Sequence, residues 1–333
     1  MPVTTYGDIS PRTAAKASKQ LLKRGDELMV LERYGQSKPL GAHETKSISF
    51  RLYDALSNLP KVLTEGVTPA SSPLTKQDIV VTLVQYGDYI ELTDIVLDTH
   101  EDPVLQESID ICGQQAAEML EIVRFGAIIG GTNVFYAGGV AARANVIGTM
   151  TKGLQRKVTT ALRKQRAKPV TRIVKSTPSW GTQAIQPAYI AIIPVELGSV
   201  IRDMPGFSPA ETYGTATPMP GEIGKVEAVR YVESNLIPTY PDSGATVGSS
   251  GMQSTTGTRV DVFPILIFGQ DSFGTVPFKG KNGVTVMVRN PKPDSADPLA
   301  QRGSVGWKAL HAALILNEAW IARVEVAVPV QQG

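Results

Sequence analysis

A chain of 333 residues with 42% apolar residues, 19% charged residues and a formal net charge of +2 is long enough for one large or two ordinary domains. It has the composition of a globular protein, neither disordered nor membrane-spanning. The longest apolar runs, such as "AYIAIIPV" at residues 188–195, are too short to cross a bilayer, and the opening "MPVTTYGDISPRTAAKASKQ" lacks the apolar core and cleavage site of a secretion signal. A single cysteine, Cys112, excludes an internal disulfide; His43, His100 and His311 have no partner at zinc-ligand spacing, so no metal and no cofactor is expected.

The first 45 residues are polar and basic and read as an extended arm, with Arg12, Lys16, Lys19, Lys23 and Arg24 lining a short helix over residues 14–24. "KSISFRLYD" alternates Ile48, Phe50 and Leu52 on one side, the period of a strand. Pro60, Gly66, Pro69, Ser71, Ser72 and Pro73 mark a long loop before strand character returns in "DIVVTLVQY" and "DYIELTDIVLD", with Gly87 between them as a bulge or kink. Two extended limbs joined by a polar tip make a long hairpin, which buries little of itself and requires a partner surface.

A helix is then predicted from Pro103, capped by Asp102, with Leu105, Ile109, Cys112, Ala116, Met119 and Val123 in one apolar stripe and Gly126, Gly130 and Gly131 at its end. A second, basic helix is predicted over residues 152–167, stopped by Pro169. Beyond residue 188 strands dominate: "YIAIIP", "VEAVRYVES", "TRVDVFPILIFG" and "GVTVMVR", with a short helix around residues 195–204 and the largest loop at 238–258. "ALHAALILNEAWIARVEVAVP" gives two apolar segments around Asn317 and Glu318. Strands and helices are segregated, so the class is α+β.

The near-neutral total hides two blocks of opposite sign. Residues 77–123 contain eleven carboxylates and no lysine or arginine; residues 122–195 contain eleven cations and no carboxylate, nine of them between 152 and 175. No Walker loop, zinc-protease helix, nucleophile elbow or cysteine pair is present, and "GAIIGGTNVFYAGG" follows a helix, the wrong context for a dinucleotide fingerprint. Glu101 and Asp102 beside His100 read as a strand edge entering a helix cap, where carboxylates favour the positive helix end. No enzyme is expected.

"LTEGVTP", "QYGDYIELTD", "VLDTHEDPVL" and the closing "WKALHAALILNEAWIARVE" resemble major capsid proteins of tailed bacteriophages, in the group typified by the coat protein of phage N-four. That resemblance implies the Hong Kong 97 (HK97-like) coat fold and a virion protein made in the bacterial cytoplasm. It implies an N-terminal arm at 1–45, a peripheral-domain strand and extended-loop hairpin at 46–102, and a peripheral domain with spine helix and basic helix at 103–186. An axial domain at 187–300 and a C-terminal return to the peripheral domain at 301–333 complete the division. Self-assembly into pentamers and hexamers of an icosahedral shell around double-stranded DNA follows, with a portal and, where present, decoration proteins as partners. No scaffolding or protease region is seen, so scaffolding would be a separate protein or absent. The hairpin would contact neighbouring subunits through Lys61, Glu65, Thr68, Lys76, Asp88 and Glu91. The basic segment, through Arg156, Lys157, Arg163, Lys164, Arg166 and Lys168, would meet either DNA backbone or an acidic neighbour; no aromatic interrupts it, which disfavours stacking on single strands. The rival reading is a nucleic-acid-binding protein using residues 152–175 alone.

Overall fold

The computed structural model describes residues 29–38, 46–53, 56–57, 59–66, 68, 71–94, 104–175, 181–213, 218–277, 284–289, 291, 293, 298–299 and 301–330. The predicted helix over 14–24, His43, His100, Glu101 and the cap formed by Asp102 and Pro103 lie outside them.

A buried turn, Leu31–Arg33, leads into β1 (Gln36–Ser37). In β2 (Ser47–Tyr53), Ile48 and Phe50 are buried while Ser49 and Arg51 are exposed, the alternation the sequence shows. β2 pairs antiparallel with β3 (Lys76–Thr82), from Ser47 opposite Thr82 to Tyr53 opposite Lys76. β4 (Val84–Thr93) then leaves the hairpin for another sheet. The break therefore falls at Leu83, not at Gly87, because Leu83 plugs a small core with Ile48, Phe50, Val276 and Ala312.

α1 (Val104–Ile129) runs 26 residues, continuing through Gly126, and its buried face is wider than the predicted stripe. Ile109, Cys112, Gly113, Ala116, Ala117, Leu120, Glu121, Arg124, Phe125, Ile128 and Ile129 are buried at helical spacing, whereas Met119 and Val123 are only half-buried. β5 (Val134–Tyr136) follows, then α2 (Lys152–Lys164), whose Thr151 cap accepts from the amide of Leu154 at 3.2 Å. α2 stops before the predicted boundary in a Schellman arrangement: the amides of Arg166 and Ala167 donate to the carbonyls of Arg163 and Leu162, with Arg166 at φ 59°.

β6 (Val170–Lys175), β7 (Gly181–Pro194), the short α3 (Gly198–Arg202), β8 (Phe207–Pro209), β9 (Glu222–Val226) and β10 (Val229–Ser234) come next. "VEAVRYVES" is thus not one strand but the end of β9, a turn at Glu227 with φ 53°, and β10. β11 (Phe263–Phe268), β12 (Phe273–Thr275), β13 (Thr285–Arg289), β14 (Arg302–His311), β15 (Ala313–Ile315) and β16 (Ile321–Val326) complete the described elements.

The main sheet has the order β5-β16-β11-β7-β10-β9-β8, with β6 also on β7. Alternation gives it two buried faces. On one, Tyr189, Ala191, Ile193, Ile265, Ile267, Ala322 and Val324 pack against Val158 and Leu162 of α2 and Ile201 of α3. On the other, Ile190, Ile192, Leu266 and Phe268 meet Phe125, Ile128 and Ile129 of α1, with Val30, Leu31 and Tyr34. The earlier turns of α1 cover a second sheet, β13-β14-β4, through Ile109, Cys112, Ala116 and Leu120 against Leu92, Val286, Val305 and Trp307. Burying each large side chain of this kind stabilises the fold by roughly 1.5–3 kcal/mol. Gly87 lies inside the unbroken β4–β14 pairing, opposite Lys308. A Cβ there would stand 2.6 Å from the carbonyl oxygen of Trp307, so glycine permits close strand approach rather than a bend.

Candidate inter-subunit surfaces

The β2–β3 hairpin is anchored at its base. Phe50 lies over Gly274 of β12, where a Cβ would come within 2.8 Å of the ring, and Lys38 donates to the carbonyl of Ser49 at 2.7 Å. Farther out, Arg51 clamps Asp78 at 2.7 Å and Lys76 approaches the same carboxylate at 3.5 Å; the Arg51 hydrogen bond holds that carboxyl below its ordinary range. Across the tip, Lys61 donates to Ser72 Oγ at 2.7 Å, and Gly66 turns the chain at φ 77°. Leu59, Val62, Leu63 and Leu74 are all exposed there, Val62 at 93%. Four uncovered apolar side chains on one projection make a contact surface that the subunit itself does not fill.

Of the residues expected on that projection, Lys61, Glu65 and Thr68 are exposed in the tip and Lys76 opens β3. Asp88 and Glu91 sit on β4, in the body, because β4 pairs with β14 rather than with β2. Asp88 faces α1, accepting from Gln115 Nε2 at 2.5 Å and from the Tyr89 amide at 2.8 Å; these bonds, Gln115 first, lower its pKa. Glu91 is exposed, opposite Ser304.

The six cations expected on the basic segment are all exposed. Arg156 is already engaged with Glu227, at 2.5 Å through one nitrogen and 3.0 Å through another, and Lys152 joins at 3.4 Å. Arg156 first, then Lys152, lowers the pKa of that carboxyl. Arg163 lies 6.0 Å over the Tyr189 ring. Among the described residues, Lys157, Lys164, Arg166 and Lys168 meet no carboxylate.

A buried charge cluster does not show in charge counted along the chain. Arg124 of α1, with no exposed side-chain surface, donates to Glu121 at 2.9 Å, Glu32 at 2.8 Å, Thr275 Oγ1 at 3.1 Å and the Val276 carbonyl at 3.3 Å. Glu121 also accepts from the amides of Val30 and Leu31 at 2.9 and 2.7 Å. The cluster fixes residues 30–32, within the stretch expected as an extended arm at 1–45, onto α1 and β12 of the same subunit, because Val30, Leu31 and Tyr34 are buried in its own core. His311, buried in β14, has its pKa pushed well down, by desolvation first and by Arg124 second. A signal for the cluster exists: Glu121 and Arg124 stand three apart on the stripe that contains Ala117 and Leu120. Among the described residues no three metal-binding side chains cluster, and no helix is long and apolar enough to cross a membrane.

The model of the family described as "Phage capsid protein" matches residues 76–324. The chain belongs to the phage capsid protein family. This major capsid protein is a structural component of the virion, which leaves the free nucleic-acid-binding reading without support. No curated protein matches its sequence. The coat subunit has an HK97-like fold: the capsid of Ralstonia phage GP4 superposes with a TM-score of 0.67 at 11% identity, over 91% of this chain and 92% of that one. The head of Helicobacter pylori bacteriophage KHP40 gives 0.59 at 11% identity over 88% and 87%, and the capsid of cyanophage Pam1 gives 0.56 at 13% over 92% and 93%. At these identities the solved capsids speak to the fold of the coat subunit; the narrower likeness to the phage N-four group stays a sequence resemblance.

Proposed function

We propose that this coat subunit assembles into pentamers and hexamers of an icosahedral head enclosing double-stranded DNA, and that the β2–β3 hairpin lies across the body of the next copy. What carries this reading is the projecting tip, with Leu59, Val62, Leu63 and Leu74 uncovered and Lys61, Glu65 and Thr68 around them. Lys76 stiffens the limb through Asp78; Asp88 and Glu91, on the body, serve a neighbour's hairpin instead. Each contact is modest, yet every subunit is held on several sides, which multiplies its retention. The arm at 1–45, hairpin region at 46–102, peripheral region at 103–186, axial region at 187–300 and C-terminal return at 301–333 are the division we assign. Synthesis in the host cytoplasm, a portal as partner, separate scaffolding or decoration proteins where present, and the absence of a catalytic role belong to the same reading. Arg156, Lys157, Arg163, Lys164, Arg166 and Lys168 form its second contact surface.

Replacing residues 61–75 with a short glycine-serine linker tests the hairpin. The variant subunit is expected to stay folded and soluble and to form no shells in negative-stain electron microscopy. Shells of normal yield and size would refute the role.

A further inference from the structure

We propose that the basic outer face of α2 seats on the solvent-facing side of α1 in a second copy of this chain; the proposal rests on the shell reading above. Lys157 and Lys164 stand two turns apart on α2, roughly 10 Å at the helical rise, and Arg166 and Lys168, both exposed, follow just past the helix end. The α2 face already displays the ligand it takes, since Arg156 and Lys152 grip the carboxylate of Glu227. Lys157, Lys164, Arg166 and Lys168 carry the same chemistry and meet no carboxylate among the described residues.

The complement lies on the same polypeptide. Glu107, Ile111, Glu118 and Ile122 follow at spacings of four, seven and four, one line along the outer side of α1. Ile111 and Ile122 are 56% and 52% exposed, large apolar side chains alternating with carboxylates. A phosphate backbone meets such a line with repulsion. Lysine and arginine supply a cationic head for exposed Glu107 and for half-buried Glu118, whose Oε1 also accepts from Gln114 Nε2 at 2.8 Å, and an aliphatic stem to cover each isoleucine.

Within one subunit the two faces belong to different packing units. Val158 and Leu162 seat α2 on the main sheet beside Ala191 and Ile193, whereas the turns of α1 that carry the acidic line are seated on β13-β14-β4 through Ile109, Cys112, Ala116 and Leu120. A basic face and an acidic face on separate parts of one molecule pair head to tail between copies. Such heterologous contacts close into rings or lattices, the geometry a shell requires.

The test is a charge swap in the full chain. The triple variant Lys157→Glu, Lys164→Glu, Lys168→Glu is expected to keep its circular-dichroism spectrum and melting temperature while the yield of sedimenting shells falls by roughly 100-fold, as like charges meet across the contact. Adding Glu107→Lys and Glu118→Lys to that variant is expected to restore most of the yield. Wild-type assembly by the triple variant would overturn the proposal, and if its binding to duplex DNA were lost at the same time the face would belong to DNA. A folded swap variant that recovers nothing would also overturn it, placing the acidic partner elsewhere. If the wild-type chain forms no shells under any assembly condition, the shell reading itself fails and takes this inference with it.

Discussion

Arg124 has no solvent contact, and both of its terminal nitrogens and its Nε donate inside the protein. A buried guanidinium is tolerated only because Glu121, Glu32, Thr275 and the Val276 carbonyl replace the water it lost. Arg124→Met removes the cation and leaves two carboxylates in the same space. The expected cost is about 3–5 kcal/mol, measured as a fall in the urea midpoint of the isolated subunit. Combining it with Glu121→Gln should recover part of the loss, because one uncompensated charge disappears. The residues are plain in the sequence but their meaning is not: Glu121 is the last carboxylate of the stretch without cations and Arg124 the first cation of the stretch without carboxylates. Counting signs along the chain separates two residues that one helical turn brings together, and the third partner, Glu32, is 92 positions away.

The hairpin and the long helix are legible as elements because each follows one period, two for β2 and β3 and near 3.6 for α1. Their boundaries are not. Leu83 looks like any apolar strand residue; what ends the hairpin there is the small core it enters and the ladder to β14, far along the chain. Likewise Glu227 is a poor turn residue by composition, and Arg156 and Lys152 hold the turn from another element. The pairing of β4 with β14 gives a sharp test. Gly87→Ala would force a methyl group to 2.6 Å from the Trp307 carbonyl, and should cost about 1–3 kcal/mol as the strands move apart. Gly126→Ala, in α1 with nothing within 4 Å of the new Cβ, should instead stabilise by up to about 1 kcal/mol. Thermal unfolding of both variants beside the wild type measures the contrast.

At the scale of the molecule, the main sheet is buried on both faces whereas β2 and β3 form a sheet of two strands. The α+β class and the hairpin can be inferred from the sequence; the placement of α1 and α2 on opposite faces cannot, since it depends on which strand residues alternate toward which helix. A two-stranded ribbon is marginal in water unless something covers it. In the free subunit, amides of the outer ladder around Arg51 and Gln77 should therefore exchange with deuterium far sooner than those of β11, and the difference should shrink in assembled shells; equal protection in free subunits would mean the ribbon is self-sufficient. An ordering cost deferred to docking makes each early attachment weak and quickly reversed. If the hairpin docks on the next copy as proposed, one that lands in the wrong orientation gains too little to stay, and the thinness of the β2–β3 ribbon would give a growing lattice a means of correcting its own errors.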